Sequence, residues 1–295
     1  MTDYTLGRTL IPLKRPYRAR DRAFAAARLD DLTIQEGDFR HCTFVNISFK
    51  AAVIKSSSFV DCIFVGCYFR RAELAGSSFV GCRFVDCNFS HVAIKSTSFN
   101  YCTFRACQLP FDELAHSLPR EPNIREALAR NLYVESSRLG LASDARKYRM
   151  AEIRAREDHL AQAIYSRSTW YQEHFDTVGR VRAAAQLASS LVNRWLWGYG
   201  ERAWILTRNA ILLAVAVFPA AYLALSAGFV KADGGPVNAV DALVFSLVTM
   251  IPGGIDREIQ PVDSVPRALA IIQSLVGLIM IALFASHIFR WSLHR

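Results

Sequence analysis

Cysteine is the residue type with the plainest reactive potential in this 295-residue chain, and its spacing is regular. All seven lie between Cys42 and Cys107: Cys42, Cys62, Cys82 and Cys102 recur every twenty residues, and so do Cys67, Cys87 and Cys107. Aligned thiols invite a metal or redox site. An odd number in a reducing compartment argues against disulfides, and no His or carboxylate falls at the positions expected to face inward with them. Free cysteine behaves as a small hydrophobe and is among the most buried residue types, so these seven are expected to pack a core. Nowhere does a nucleophile sit with a neighbouring base, a phosphate loop or a metal-ligand spacing, so the chain is not expected to be an enzyme and no cofactor or metal is expected. The remaining chemical candidates lie far downstream. They are Asp256 and Glu258, just past Gly253 and Gly254, and His287 near the end, where a pH-sensing role competes with a plain interfacial one.

The element that must position the thiols has a period of five. From Ile34 every fifth residue is large and apolar (Phe39, Phe44, Phe49, Ile54 and onward through Leu109), and two residues before each sits a mostly small one. No helix or ordinary strand keeps that period. The pattern resembles the pentapeptide-repeat family, which implies a right-handed quadrilateral β-helix with one five-residue unit per side and twenty residues per coil. Residues 29–109 would then form about four coils stacked at about 4.8 Å. Some members of that family mimic DNA with an acidic surface. Here eight Lys/Arg face seven Asp/Glu over the same residues, so that reading and any nucleic-acid partner are not expected.

Pro110, Pro119 and Pro122 end the solenoid, and helical periodicity follows. Residues 124–139 and 144–165 read as two helices separated by Gly140, a hairpin able to cap the open last coil. Next comes a basic, aromatic stretch in which Arg180, Arg182, Arg194, Arg202 and Arg208 interleave with Trp195, Trp197, Tyr199 and Trp204. Before an apolar run this composition suits a cytoplasmic membrane interface on anionic lipid. Charge is segregated to match: from residue 210 onward five Lys/Arg balance five Asp/Glu, so the whole net charge of +9 precedes the apolar part. Residues 110–203 form the cap and linker, and 204–295 the membrane part. With no signal peptide visible in the first 28 residues, the first half is expected in the cytoplasm.

Residues 210–230 carry no charge and 268–289 have only Gln273, Ser274, Ser286 and His287 as clearly polar members, each run long enough to cross about 30 Å of hydrocarbon. Pro219 should kink the first, tolerable where neighbouring helices resatisfy the backbone. Between them residues 239–251 are apolar but too short to span, with Asn238 as N-cap and Asp241 in the first turn. A re-entrant helix is expected, its negative carboxyl end pointing into the membrane, with a buried core helix as the alternative. Helix, short helix, irregular loop, helix resembles the two-transmembrane pore module of the potassium-channel superfamily. The residues carrying the likeness are Phe245-Ser246-Leu247-Val248-Thr249-Met250, then Gly254-Ile255-Asp256, then Pro261, while Gly198-Tyr199-Gly200-Glu201-Arg202 resembles the junction of such pores with pentapeptide repeats.

That resemblance implies a homotetramer in which four loops surround one axis and backbone carbonyls replace the water shell of monovalent cations. The selectivity filter would run through Thr249, Met250, Ile251, Pro252, Gly253, Gly254, Ile255 and Asp256, with Asp256 and Glu258 forming an acidic ring at the outer mouth. Gly277 would be a gating hinge or a close-packing residue. The filter departs from T-x-G-Y-G, placing Gly254 at the tyrosine and Ile255 at the second glycine, which argues against high potassium selectivity. The expected protein is a multi-pass inner-membrane cation channel, both termini cytoplasmic, whose repeat domain assembles or senses and offers a surface to an unknown cytoplasmic partner. A non-conducting membrane scaffold that binds a partner through the solenoid is the alternative.

Overall fold

The computed structural model describes residues 17–165, 169–200, 203–251, 253–254 and 258–293. The chain divides into two units, Met1–Leu187 and Ala188–Arg295.

In the first unit fourteen three-residue strands from Arg18–Arg20 to Thr103–Arg105 wind a solenoid, starting ahead of residue 29. They assemble into two five-stranded parallel sheets, one four-stranded parallel sheet and a line of single parallel bridges through Arg28, Ser48, Tyr68, Asn88 and Gln108. Every pairing joins residues twenty apart, such as Phe44 with Phe64 and Phe64 with Phe84. The five-residue register is therefore the interior. Phe44, Phe64 and Phe84 stack at centroid separations of 4.7 and 4.8 Å, and Phe59 and Phe79 at 4.7 Å. The two ring columns meet edge to face, the favourable arrangement for their quadrupoles.

All seven cysteines are buried and free. Each thiol donates to backbone carbonyls, as Cys62 does to Phe39 O at 3.4 Å. The adjoining Cys62 thiol and burial push the Cys42 thiol above its ordinary range, and Cys87 and burial do the same for Cys107. A thiol held protonated is a poor nucleophile and a poor metal ligand; Cys67 shifts the other way, lowered by its bond with Cys87 against burial, so the packing role rests on the burial of all seven.

Every fifth residue from Asp21 to Ala106 has positive φ, so the chain turns each corner through a left-handed residue. Only Gly66, Gly76 and Gly81 are glycines there. The others, among them Arg71 at 59° and Tyr101 at 58°, carry backbone strain that the stacked ladders offset.

A short helix α1 (Phe111–Leu114) leads from the last coil to α2 (Pro122–Arg138) and α3 (Ala142–Tyr165), joined through Gly140 at φ 72°. This hairpin caps the open edge by taking over bonds that a further coil would make. Asn131 behaves as a substitute strand residue: its Oδ1 accepts from Phe104 N at 2.8 Å and its Nδ2 donates to Phe104 O at 3.0 Å. Glu135 accepts from Ala106 N at 2.8 Å, and the buried Tyr148 hydroxyl donates to Leu109 O at 3.0 Å. Replacing Asn131 with leucine leaves both Phe104 groups unpaired and should cost about 1–3 kcal/mol. The check is hydrogen exchange: amides at 103–105 should speed up while those at 63–65 hold. Helices α4 (Thr169–His174) and α5 (Thr177–Trp197) follow.

In the second unit the first apolar helix is α6 (Ala203–Leu212), a π-helical segment Leu213–Val217 and α7 (Phe218–Ala224). It begins earlier and ends earlier than the 210–230 run, because residues 226–228 turn and Phe229–Lys231 becomes a strand paired antiparallel with Ile259–Pro261. Phe229 is buried there against Tyr222 and Phe245. Helix α8 (Ala239–Met250) is the short apolar one and α9 (Ser264–Leu293) the long one. Trp204–Ala224 and Ser264–Ser286 are long and apolar enough to cross a membrane.

Candidate functional site

Three local devices shape the second unit. The first is the elbow between α5 and α6 at Gly198-Tyr199-Gly200, where Gly198 and Tyr199 adopt φ of 57° and 59°. The buried Asn209 side chain donates to Trp195 O at 2.7 Å and Leu196 O at 2.8 Å, satisfying the end of α5 from the next helix, while Tyr199 Oη donates to Ser190 O at 2.8 Å. These bonds all lie within the second unit, between residues 188 and 212. Arg208 stacks over the exposed Trp204 ring at 5.3 Å. Arg202 lies outside the described residues, as does the Trp197 side chain.

The second device anchors α8 at its start. Asn238 Oδ1 accepts from Val240 N and Asp241 N at 2.9 Å each, and the Asp241 carboxylate accepts from Asn238 N, a complete capping box. Lys231 reaches Asp241 at 3.1 Å and Asp233 at 3.2 Å, and its ammonium is raised by Asp241 first and Asp233 second. Ala232 N donates to Glu258 O at 2.8 Å. Chain entering α8 and chain leaving the loop after it are thus bonded side by side.

The third device holds the carboxyl end of α8. Phe218 N–H donates to Leu213 O in the π register, so Ala214 O would need the N–H of Pro219, which proline lacks. Ser246 Oγ fills the gap at 2.8 Å. The carbonyl that Pro219 leaves without an N–H is thereby satisfied from a neighbouring helix. Gln273 of α9 donates to Ser246 O and Oγ, both at 2.8 Å, and its Oε1 accepts from Tyr222 Oη at 2.5 Å.

The filter candidates sit at that end. Thr249 spends its hydroxyl on Phe245 O at 2.7 Å, and Met250 is the last helical residue. Ile251 O accepts from Gly254 N at 2.9 Å, closing a four-residue turn whose third member, Gly253, has φ 82°. Pro252, Ile255, Asp256 and Arg257 lie outside the described residues, while Glu258 is exposed beside the strand pair of Phe229–Lys231 and Ile259–Pro261. A Cβ on Gly254 would fall 2.1 Å from Val248 O, and one on Gly277 2.0 Å from Met250 O. Gly277 is where α9 accepts the end of α8 in close packing. The His287 side chain is outside the described residues. Sequence reasoning noted Gln273 merely as a polar member of its helix and missed Ser246, Tyr222 and Asn209 in these roles; a lone amide in an apolar helix was the available signal. Among the described residues no cluster of His, Cys, Asp and Glu could hold a metal.

Residues 59–103 match the family model for pentapeptide repeats in nine copies. Among solved structures the chain is similar to a pentapeptide repeat protein from the cyanobacterium Cyanothece 51142, at 9% identity over 32% of this chain and 78% of that one, with TM-score 0.29. Another, from the Arabidopsis thaliana thylakoid lumen, is 18% identical over 33% and 72%, with TM-score 0.24. HetL from Nostoc sp. strain PCC 7120, a pentapeptide repeat protein involved in heterocyst differentiation regulation, is 13% identical over 36% and 62%, with TM-score 0.20. No curated protein matches the chain.

Proposed function

We propose, from a chain that joins a pentapeptide-repeat solenoid to two helices long and apolar enough to cross a membrane, that it is one subunit of a homotetrameric cation channel. One observation carries the reading: α8 starts beside the strand pair that flanks the two long helices and ends against Gly277, near the middle of α9. Twelve residues of helix rise about 18 Å, so a chain with this geometry enters an apolar layer, stops about halfway and returns to the side it came from. Backbone at that depth is tolerated where protein or a water-filled path covers it. Ile271, Ile272, Leu275, Leu278, Ile279 and Phe284 of α9 are exposed in the single chain, an apolar surface for lipid and neighbouring subunits.

In this proposal the solenoid is cytoplasmic, in its right-handed quadrilateral form, and both termini lie on that side, because the Arg-rich stretch precedes the first apolar helix. Monovalent cations pass the loop 249–256, and Glu258 with Asp256 concentrates them at the outer mouth. One observation favours the non-conducting scaffold instead: the turn closed by Gly254 N on Ile251 O takes that carbonyl away from any ion.

Cation flux into liposomes holding the full chain decides between them. Flux that a Gly254→Ala change lowers about tenfold or more supports the channel, the added Cβ having no room beside Val248 O. No flux under any gradient, or cross-linking that stops at the monomer, removes it.

A further inference from the structure

Gln273 is fully buried (0% exposed) in the middle of an apolar helix, and both ends of its amide are hydrogen-bonded. Both amide protons go to Ser246, one to the backbone carbonyl and one to the hydroxyl, and the amide oxygen takes the Tyr222 proton. The amide orientation follows from the network, since a backbone carbonyl can only accept. Ser246 Oγ then passes its own proton to Ala214 O. Three elements distant in sequence, the π-helical segment with α7, α8 and α9, close on one side chain with no donor left over. A second contact repeats the first one turn along: Gly277 stands four residues after Gln273 and takes the Met250 carbonyl, four residues after Ser246. The two helices are therefore registered at two matched points, the further one at Met250, the residue just before the 251–254 turn.

We propose that Gln273 is a positioning residue for the carboxyl end of α8, fixing how far α8 is inserted along α9 and so where Met250, Ile251 and Gly254 stand. The clasp itself is independent of conduction; its consequence, that Gln273 sets discrimination between cations, rests on the pore reading above. No member of the clasp carries a charge, so it holds that helix end by geometry alone.

The test compares the full chain with Gln273→Met, which keeps length and apolar bulk but donates nothing. Losing the three interhelical hydrogen bonds of the clasp should speed hydrogen exchange at the Ile251 and Gly254 amides about tenfold or more. Amides of α9 and of the solenoid should hold. Ser246→Ala also removes the hydroxyl's bond to Ala214 O, so adding it to Gln273→Met should speed exchange further, but by less than the product of the two separate effects, because the Gln273–Ser246 bond is lost in either variant. In liposomes the ratio of potassium to sodium flux should shift by about threefold or more with cross-linked tetramer yield unchanged. Uniform acceleration across residues 203–293 would make Gln273 ordinary packing and overturn the proposal, as would exchange that does not change at 251 and 254. If the unaltered protein passes no ions the pore reading fails, while the exchange arm still decides the clasp.

Discussion

Truncating Phe64 to alanine should cost the solenoid about 3–5 kcal/mol, the range for emptying a buried phenylalanine site. Phe64 stacks between Phe44 and Phe84 and meets Phe59, Phe69 and Phe79 edge-on, so one ring supports two columns. Parallel coils bonded through three sheets cannot slide inward to fill the space without breaking registers twenty residues apart. The cavity therefore persists. Thermal unfolding followed by circular dichroism in the β region should show a fall of about 12 °C or more for a domain of this size. Tyr101→Ala, at an exposed corner, is the control and should stay within about 0.5 kcal/mol. A Phe64→Ala protein melting with the parent would mean that the ring columns are not the core.

Gly277→Ala is expected to lower cation flux in liposomes about tenfold, the rate equivalent of the 1–3 kcal/mol that overpacking costs. The new methyl would overlap the Met250 carbonyl, a backbone atom with no rotamer to escape through. Either α9 retreats or the last turn of α8 moves, and the loop moves with it. A pure hinge glycine makes a different prediction, since alanine is a good helix former and would stiffen α9 without displacing α8. Hydrogen exchange separates the two: faster exchange at Ile251 supports close packing, and unchanged exchange with altered opening supports the hinge.

The solenoid was legible because its geometry is written at every fifth residue, where a coil leaves room for one large apolar side chain per face. Its corners were not legible. Left-handed backbone usually advertises itself through glycine or asparagine, but here Arg71, Tyr101 and Ala26 adopt it, held by ladders on both sides. The capping hairpin could be read from Gly140 and the prolines; the part played by Asn131 could not, since an asparagine on a helix ordinarily faces water. In the second unit Asn238 and Asp241 announced the start of α8, and the capping box is there. Residues 225–230 are as apolar as a helix demands and left the helix anyway, because pairing with Ile259–Pro261 and burial of Phe229 outweighed composition. Gln273 was visible as an oddity, yet its partners lie 27 and 51 residues away, and no local pattern links them.

The Asn209 bridge gives the bend at Gly198-Tyr199-Gly200 the character of a crank. With the final carbonyls of α5 bonded to a side chain of α6, and Tyr199 fastened back to Ser190, the bend has no slack. Torque applied to the last turns of α5 must arrive at the first apolar helix as rotation, undiminished by play in the joint.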